Sequence, residues 1–295
     1  MQKNRTTKLI DILNESVHYL KKNDIENPRL NAELILAHSL NLNRVDLYTN
    51  QEKKLQHHEI DHFNLLLSRR INHEPLQYIL QETEFMYSRL KVDRSVLIPR
   101  PETELLVEFI ISYVNNEVNE NRNIHILDIG TGSGNIAISL ARALSNAQIT
   151  AMDVSQDALH VAKENARLNN VETSIKFMCA DILSHNLELF VAQGFDIIVS
   201  NPPYIRKSDF KKLPDEIKLF EPRIALMAHD NGLIFYKAIS EHGLKILKSN
   251  GLLACEIGYD QKQEVMDIFS SFSYSHVQCH KDLNGKDRFI TAMKS

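Results

Sequence analysis

From residue 124 to the end of the chain, short apolar runs alternate with amphipathic stretches, and this alternation constrains the fold more than any other feature. Ile124-His-Ile-Leu-Asp-Ile129, Gln148-Ile-Thr-Ala-Met-Asp153, Ser174 to Ala180, Phe195-Asp-Ile-Ile-Val-Ser200 and Gly251-Leu-Leu-Ala-Cys-Glu-Ile257 read as strands. Asn135 to Ala143, Gln156 to Asn169 and Leu233 to Leu247 read as the helices between them. Strands separated by helices lie parallel in a sheet covered on both faces. Two further strands, His276 to His280 and Arg288 to Met293, flank the turn Asn284-Gly285 and must therefore run antiparallel. The expected fold class is α/β, with a mostly parallel sheet and an antiparallel last strand.

The first eighty residues have a different period. Leu9, Ile10, Leu13, Val17 and Leu20 recur at three- and four-residue steps, which predicts a helix from Thr7 to Asn23. A second helix starts at Pro28 with Asn27 as N-cap and carries Leu30, Leu34, Ile35, Ala37 and Leu40. A third runs from Gln56 to Ile71 with Ile60, Phe63, Leu66 and Leu67 on one face. The segment has no glycine and so no phosphate-cradling loop, which suggests a small helical bundle that handles a partner. Phe85, Tyr87, Leu90, Val92, Val96, Leu97 and Ile98 suggest a hairpin turning at Ser88-Arg89 or Asp93-Arg94. Pro99 and Pro101 then impose an extended segment, and Glu102 to Val118 reads as a helix. The expected organisation is a helical recognition domain over 1–83, a hairpin linker over 84–100 and a catalytic domain over 101–295.

Composition removes several function classes. A net charge of -4 argues against a protein whose affinity rests on coating nucleic-acid phosphates. Cys179, Cys255 and Cys279 are widely spaced and odd in number, which fits reduced thiols in a cytoplasmic protein. The 13 histidines form no metal-ligand spacing, so no metal site is expected. No apolar run approaches the roughly 18 residues that span a bilayer, and the polar N-terminus is no signal peptide.

The chemistry concentrates at the ends of two strands. Asp128-Ile129-Gly130-Thr131-Gly132-Ser133-Gly134-Asn135 follows an apolar strand and opens a helix, the place where ligands sit in a doubly wound sheet. Glycines there let the backbone turn sharply and approach a ligand closely. The loop suits two cofactors. Gly132-x-Gly134-x-x-Ala137 fits a dinucleotide fingerprint, with Asp153 at the distance of a ribose ligand. S-adenosylmethionine enzymes also place an acidic residue after the second strand. Asp128, just before the first glycine, would repel a pyrophosphate, and could either complement a cationic ligand or cap the loop.

The second site follows Phe195 to Val199: Asn201-Pro202-Pro203-Tyr204. Two prolines stiffen the backbone and remove two donors, leaving carbonyls and the Asn201 side-chain oxygen as acceptors. Such a site suits an -NH2 conjugated to a planar group, and Tyr204 offers a flat face beside it.

These residues resemble the class I S-adenosylmethionine methyltransferases, and Asn201-Pro-Pro-Tyr204 marks the subset acting on amide or exocyclic amine nitrogen. Val96-Leu-Ile-Pro-Arg-Pro-Glu-Thr-Glu104 and Pro75-Leu-Gln-Tyr-Ile79, with the two loops, make the chain resemble the bacterial release-factor glutamine methyltransferases of the HemK type over nearly its whole length. The resemblance implies a Rossmann-like, seven-stranded sheet and a small all-α N-terminal domain. It implies methyl transfer from S-adenosylmethionine, giving S-adenosylhomocysteine, to the N5 amide of a glutamine in the GGQ motif of release factors, supporting translation termination. It assigns Gly130, Thr131, Gly132, Ser133, Gly134, Asp153, Asp181, Ile182 and Asn201 to the cofactor. Asn201, Pro202, Pro203 and Tyr204 fall to the substrate amide, with Asn201, Pro202 and Tyr204 central to the reaction. Release factors are the implied protein partner of a cytoplasmic monomer that holds no nucleic acid or membrane. Gln81 departs from the family, which usually has glycine there; it bears on a turn. Arg100, Glu102 and Glu104 have no assigned role. Competing readings are a DNA adenine N6-methyltransferase, a ribosomal-protein glutamine methyltransferase, an NAD(P)-dependent oxidoreductase and a catalytically dead binding protein.

Overall fold

The computed structural model describes residues 8–118, 122–184 and 194–295, so Thr7 of the first expected helix lies outside the described residues. The chain forms two compact units, one reaching to Gln81 and including Pro214–Phe220, the other Glu82–Leu213 with Glu221–Ser295.

The first unit is helical: α1 (Leu9–Lys22), α2 (Pro28–Ser39), α3 (Arg44–Thr49), α4 (His57–Ile71), α5 (Leu76–Leu80) and, from the later segment, α10 (Asp215–Phe220). The three-four stripe is its core: Leu9, Leu13 and Leu20 of α1 pack with Ile35 and Leu36 of α2 and Phe63 of α4. Arg70, 5% exposed, is the polar tie inside it. Its guanidinium donates to Asn31 Oδ1 at 2.7 Å, to the Glu74 carbonyl at 3.0 Å and to Glu216 at 2.6 Å. The sequence reading omits α3 and α5, because one to two turns carry too few residues to show a period. Asn27 precedes α2 but makes no side-chain cap bond; it sits at φ 48, and its carbonyl accepts the Asn31 amide at 3.1 Å. Gln81 closes α5 at φ 59, in the left-handed region where glycine is the natural residue.

The second unit opens with the hairpin β1 (Glu82–Phe85) and β2 (Ser88–Lys91). Its turn is Met86-Tyr87, with φ 46 and 59, not Ser88-Arg89 or Asp93-Arg94. Two positive φ values define this turn type, usually signalled by Asn-Gly; here tertiary contacts impose it on residues that carry no such signal. Glu104 accepts the Met86 amide at 2.9 Å, and Asn165 grips β2 through both the amide and the carbonyl of Lys91. Phe85 and Leu90 are buried in the core of this unit.

The main sheet comprises β3 (Ile124–Ile129), β4 (Ala147–Asp153), β5 (Ile175–Cys179), β6 (Phe195–Ser200), β7 (Leu247–Glu256), β8 (Tyr274–Lys281) and β9 (Asp287–Lys294). Its order is β5-β4-β3-β6-β7-β9-β8, parallel except for β9, which is antiparallel to both neighbours. This is the expected class I methyltransferase sheet, with the final strand reversed. Period-two alternation sends Ile124 and Ile126 to one core and Leu127 and Ile129 to the other. Helices α6 (Pro101–Glu117), α7 (Asn135–Ala143) and α8 (Gln156–Leu168) cover the first; α11 (Ile234–Ile246) and α12 (Lys262–Ser271) cover the second, and α9 (Lys207–Phe210) is one short turn. The sequence reading also omits α12, whose ten residues bury only Val265, Ile268 and Phe269.

Chain order reverses between β3 and β6, which pair in register from Ile126↔Ile197 to Ile129↔Ser200. Ligands bind at such a switch point, beyond the carboxyl ends of the strands. The loops that follow Ile129 and Ser200 therefore start side by side.

Candidate active site

The glycine loop is pinned at its start and middle. The amides of Gly130 and Thr131 both donate to the Met152 carbonyl, at 2.8 and 2.9 Å. Gly132 donates its amide to Asp153 Oδ2 at 2.9 Å, while Asp153 Oδ1 takes the Ser155 amide at 2.9 Å. Gly130, Gly132 and Gly134 have φ of +72, +54 and +83, which only glycine adopts without strain. A Cβ on Gly134 would stand 3.0 Å from Ile138 Cδ1 and 3.2 Å from Ala162 Cβ, so that glycine serves close packing of α7 on α8.

Asp128 is fully buried and caps the loop: its Oδ2 accepts the Thr131 hydroxyl at 2.6 Å. Burial lifts its carboxyl to about 7, against the opposing pull of the Thr131 hydroxyl and the Ala137 amide. Of the two roles open from sequence, the geometry gives it the structural one.

The second loop is held as firmly. Ser200 donates to the Ile129 carbonyl at 2.8 Å. Gln261 bridges the Gly258 amide (3.0 Å) and the Tyr204 carbonyl (3.2 Å), and Ile205 pairs with the strand-like segment at Met227. Arg206 reaches Asp260 at 2.5 Å and Glu264 at 3.1 Å. Gly232 lies so near that a Cβ would stand 2.4 Å from the Tyr204 carbonyl oxygen.

Between the two loops lies a cleft. Gly130, Gly132, Asp153, Asp181, Ile182, Asn201, Pro202 and Pro203 line it. Apolar walls come from Val96, Leu97, Met152, Ala180, Phe235 and Ile239. Asp181 is fixed by the Leu183 amide on its Oδ1 at 2.9 Å, and Ile182 is 5% exposed. Among the described residues, the lining has two carboxylates and no lysine or arginine. A dinucleotide pyrophosphate would meet only like charge there, whereas a cationic ligand would be attracted.

Four residues expected at the ligand do not line this cleft. Thr131 and Ser133 are buried; the first bonds Asp128, and the carbonyl of the second accepts Asn165 Nδ2 at 2.9 Å. Gly134 is the N-cap of α7. Tyr204 directs its hydroxyl at Glu256 Oε1 (3.4 Å) and packs its ring on the second core. These four shape the loops from behind. Arg100 pairs with buried Glu221 at 2.6 Å, and Glu102 lies 3.7 Å from Arg288.

Sequence reasoning also misses Thr103 and Glu256. Asn201 Nδ2 donates to Thr103 Oγ1 at 3.1 Å, and Thr103 donates to Glu256 Oε2 at 2.6 Å. Thr103 is completely buried and Glu256 is 3% exposed, with its carboxyl pushed up to about 7 by burial. An acidic residue closing the apolar strand Gly251 to Cys255, at the ligand end of the sheet, is the signal that could have found it.

Comparison with known proteins places the chain in a family. A family model described as the PrmC N-terminal domain matches residues 11–80, and one described as a methyltransferase domain matches residues 120–284. The release factor glutamine methyltransferase of Chlorobaculum tepidum is 38% identical over 294 residues, 99% of each chain. That of Clostridium botulinum is 37% identical and covers 97% of this chain and 99% of its own. The Flavobacterium psychrophilum protein of the same name is 41% identical over 87% of this chain and 88% of its own. With its sheet order, its paired loops and these full-length relatives, the chain belongs to the release factor glutamine methyltransferase family.

Proposed function

We propose that this protein transfers a methyl group from S-adenosylmethionine to the side-chain amide nitrogen of a glutamine in peptide chain release factors, acting in the cytoplasm. One observation carries the reading: the Asn201-Pro-Pro segment and the Gly130, Gly132, Asp153 and Asp181 set line the same cleft. On this reading, the acceptors for a planar amide stand beside the part of the cleft that takes the nucleoside.

Asp153 and Asp181 suit the ribose hydroxyls and the adenine amino group, and Ile182 offers an apolar face to the ring. Gly130 and Gly132 allow close backbone approach, and the two carboxylates favour a net positive ligand. Bound S-adenosylmethionine supplies an electrophilic methyl carbon on a sulfonium.

The amide nitrogen is a poor nucleophile, because its lone pair is delocalised into the carbonyl. Asn201 Oδ1 and the Pro202 carbonyl accept the two amide hydrogens, which fixes the nitrogen's direction and favours pyramidal character. Most of the acceleration then comes from in-line positioning. Acceptors already in place stabilise positive charge that grows on nitrogen. Water removes the proton afterwards.

The test is incubation of the purified protein with labelled cofactor and release factors, then mass spectrometry of the peptide carrying the GGQ glutamine. A gain of one methyl on that glutamine is expected. Label on duplex DNA, or none on any release factor, would refute the reading.

A further inference from the structure

An asparagine side chain has two ends of nearly equal size and opposite hydrogen-bonding character. Shape alone cannot choose which end faces a ligand; the polarity of its neighbours does. Asn201 must present an acceptor for a substrate amide, so something has to hold its Nδ2 away from the cleft.

The neighbour that does so is Thr103, whose oxygen accepts Asn201 Nδ2 at 3.1 Å. A threonine hydroxyl can itself donate or accept. Its single proton is drawn to Glu256 Oε2 at 2.6 Å, and an ionised carboxylate can only accept. The other carboxylate oxygen takes the Tyr204 hydroxyl at 3.4 Å, and Tyr236 anchors the Glu256 carbonyl at 3.0 Å. Glu256 is thus a buried carboxyl without a salt bridge among the described residues, at the end of an apolar strand. Burying such a group costs stability unless its hydrogen bonds offset the loss.

We propose that Glu256, acting through Thr103, is the positioning residue that sets which end of the Asn201 amide faces the cleft. The inference rests on the reading of Asn201 as acceptor for the substrate amide. With Glu256 ionised, the order of donors runs Asn201 to Thr103 to Glu256, and Asn201 Oδ1 is left for the substrate. With Glu256 protonated, its O–H can donate to Thr103, whose proton is then free for Asn201 Oδ1. The asparagine turns over, an -NH2 replaces the acceptor in the cleft, and the substrate amide meets a donor.

The charged groups facing Glu256 are Arg288 from β9, which favours ionisation, and Glu102 from α6, which opposes it. Thr103 and Tyr204 also favour ionisation through their hydrogen bonds, and burial outweighs them, raising the carboxyl to about 7. The switch therefore falls near pH 7.

The experiment compares wild type with Thr103→Val, Thr103→Ser and Glu256→Gln on a release-factor substrate. It records kcat, KM and cofactor affinity from about pH 5.5 to 9, wide enough to define an acid limb. Thr103→Val keeps the shape and loses the hydroxyl; kcat should fall between about tenfold and a hundredfold, the range for a displaced reacting group, with cofactor affinity unchanged. Thr103→Ser should recover most of that loss. Wild-type kcat should decline as pH drops below about 7, and Glu256→Gln should lose that limb. An unaltered kcat in Thr103→Val, or an acid limb that persists in Glu256→Gln, overturns the proposal. Should Glu256→Gln fail to fold, the two Thr103 variants decide. Nitrogen-15 resonances of the Asn201 side-chain amide give a readout independent of turnover. They should shift with pH in wild type and not in Thr103→Val; no pH-dependent shift in wild type sinks the relay. A wild type that methylates no release factor while those resonances titrate would sink the proposed substrate and leave the relay standing.

Discussion

Asp153 Oδ2 accepts the amide of Gly132 at 2.9 Å, joining the end of β4 to the middle of the glycine loop across 21 residues of chain. Asp153 also lines the cleft, so one residue both shapes the loop and borders the cavity beside it.

Asp153→Ala should therefore weaken S-adenosylmethionine binding on the order of tenfold to a hundredfold, the worth of a charged hydrogen bond. Asp153→Asn retains one acceptor and should lose less. Calorimetric titration of the purified variants checks both; equal affinity in Asp153→Ala and wild type would remove Asp153 from the site.

Asn201→Ala removes the side-chain acceptor while Pro202 and Pro203 keep the loop stiff. Methyl transfer should drop by at least about a hundredfold, as when one preorganised polar contact to a reacting centre is lost. Cofactor affinity should stay close to that of wild type, because the glycine loop and Asp153 are untouched. An active Asn201→Ala enzyme would refute the assignment.

Two backbone substitutions should move stability in opposite directions. Gly134→Ala puts a Cβ at φ +83 and 3.0 Å from Ile138 Cδ1, and should destabilise by about 1–3 kcal/mol. Gln81→Gly relieves a side chain held at φ 59 and should stabilise by about 1 kcal/mol. Urea denaturation of the three proteins tests the pair, and a destabilising Gln81→Gly would mean that its side chain contributes more than its backbone strain costs.

Asp128 gives a pH dependence with a definite sign. Its carboxyl is raised from an ordinary 3.8 to about 7, so the folded state holds the proton more tightly than the unfolded chain does. That contribution is complete below about pH 4 and is lost as pH rises to about 7, on the order of 1 kcal/mol per pH unit. Relative to Asp128→Asn, which does not titrate, wild type should lose stability across this window. Denaturation series from about pH 5 to 8 would show it; parallel curves for the two proteins would sink the assignment.

Local pattern decided a great deal here. The strands β3 and β6, the helix α7, the glycine loop and Asn201 to Tyr204 follow from residues adjacent in sequence, because hydrophobic period and glycine or proline chemistry act over a few residues. The same physics left α3, α5 and α12 unseen, since short elements with few buried side chains carry little period. The Met86-Tyr87 turn has no turn residues of its own; Glu104, accepting the Met86 amide, and Arg142, donating to the Tyr87 carbonyl, hold it from elsewhere in the chain. Only the tertiary structure brought Thr103, Asn201, Tyr204 and Glu256 together, from positions up to 153 residues apart. Hydrogen bonds act over about 3 Å of space, whatever the separation along the chain. The sequence by itself therefore named the two loops, while the hydrogen bond that holds Asn201 Nδ2 on Thr103, and the structural role of Asp128, were set by burial and by partners that no local pattern contains.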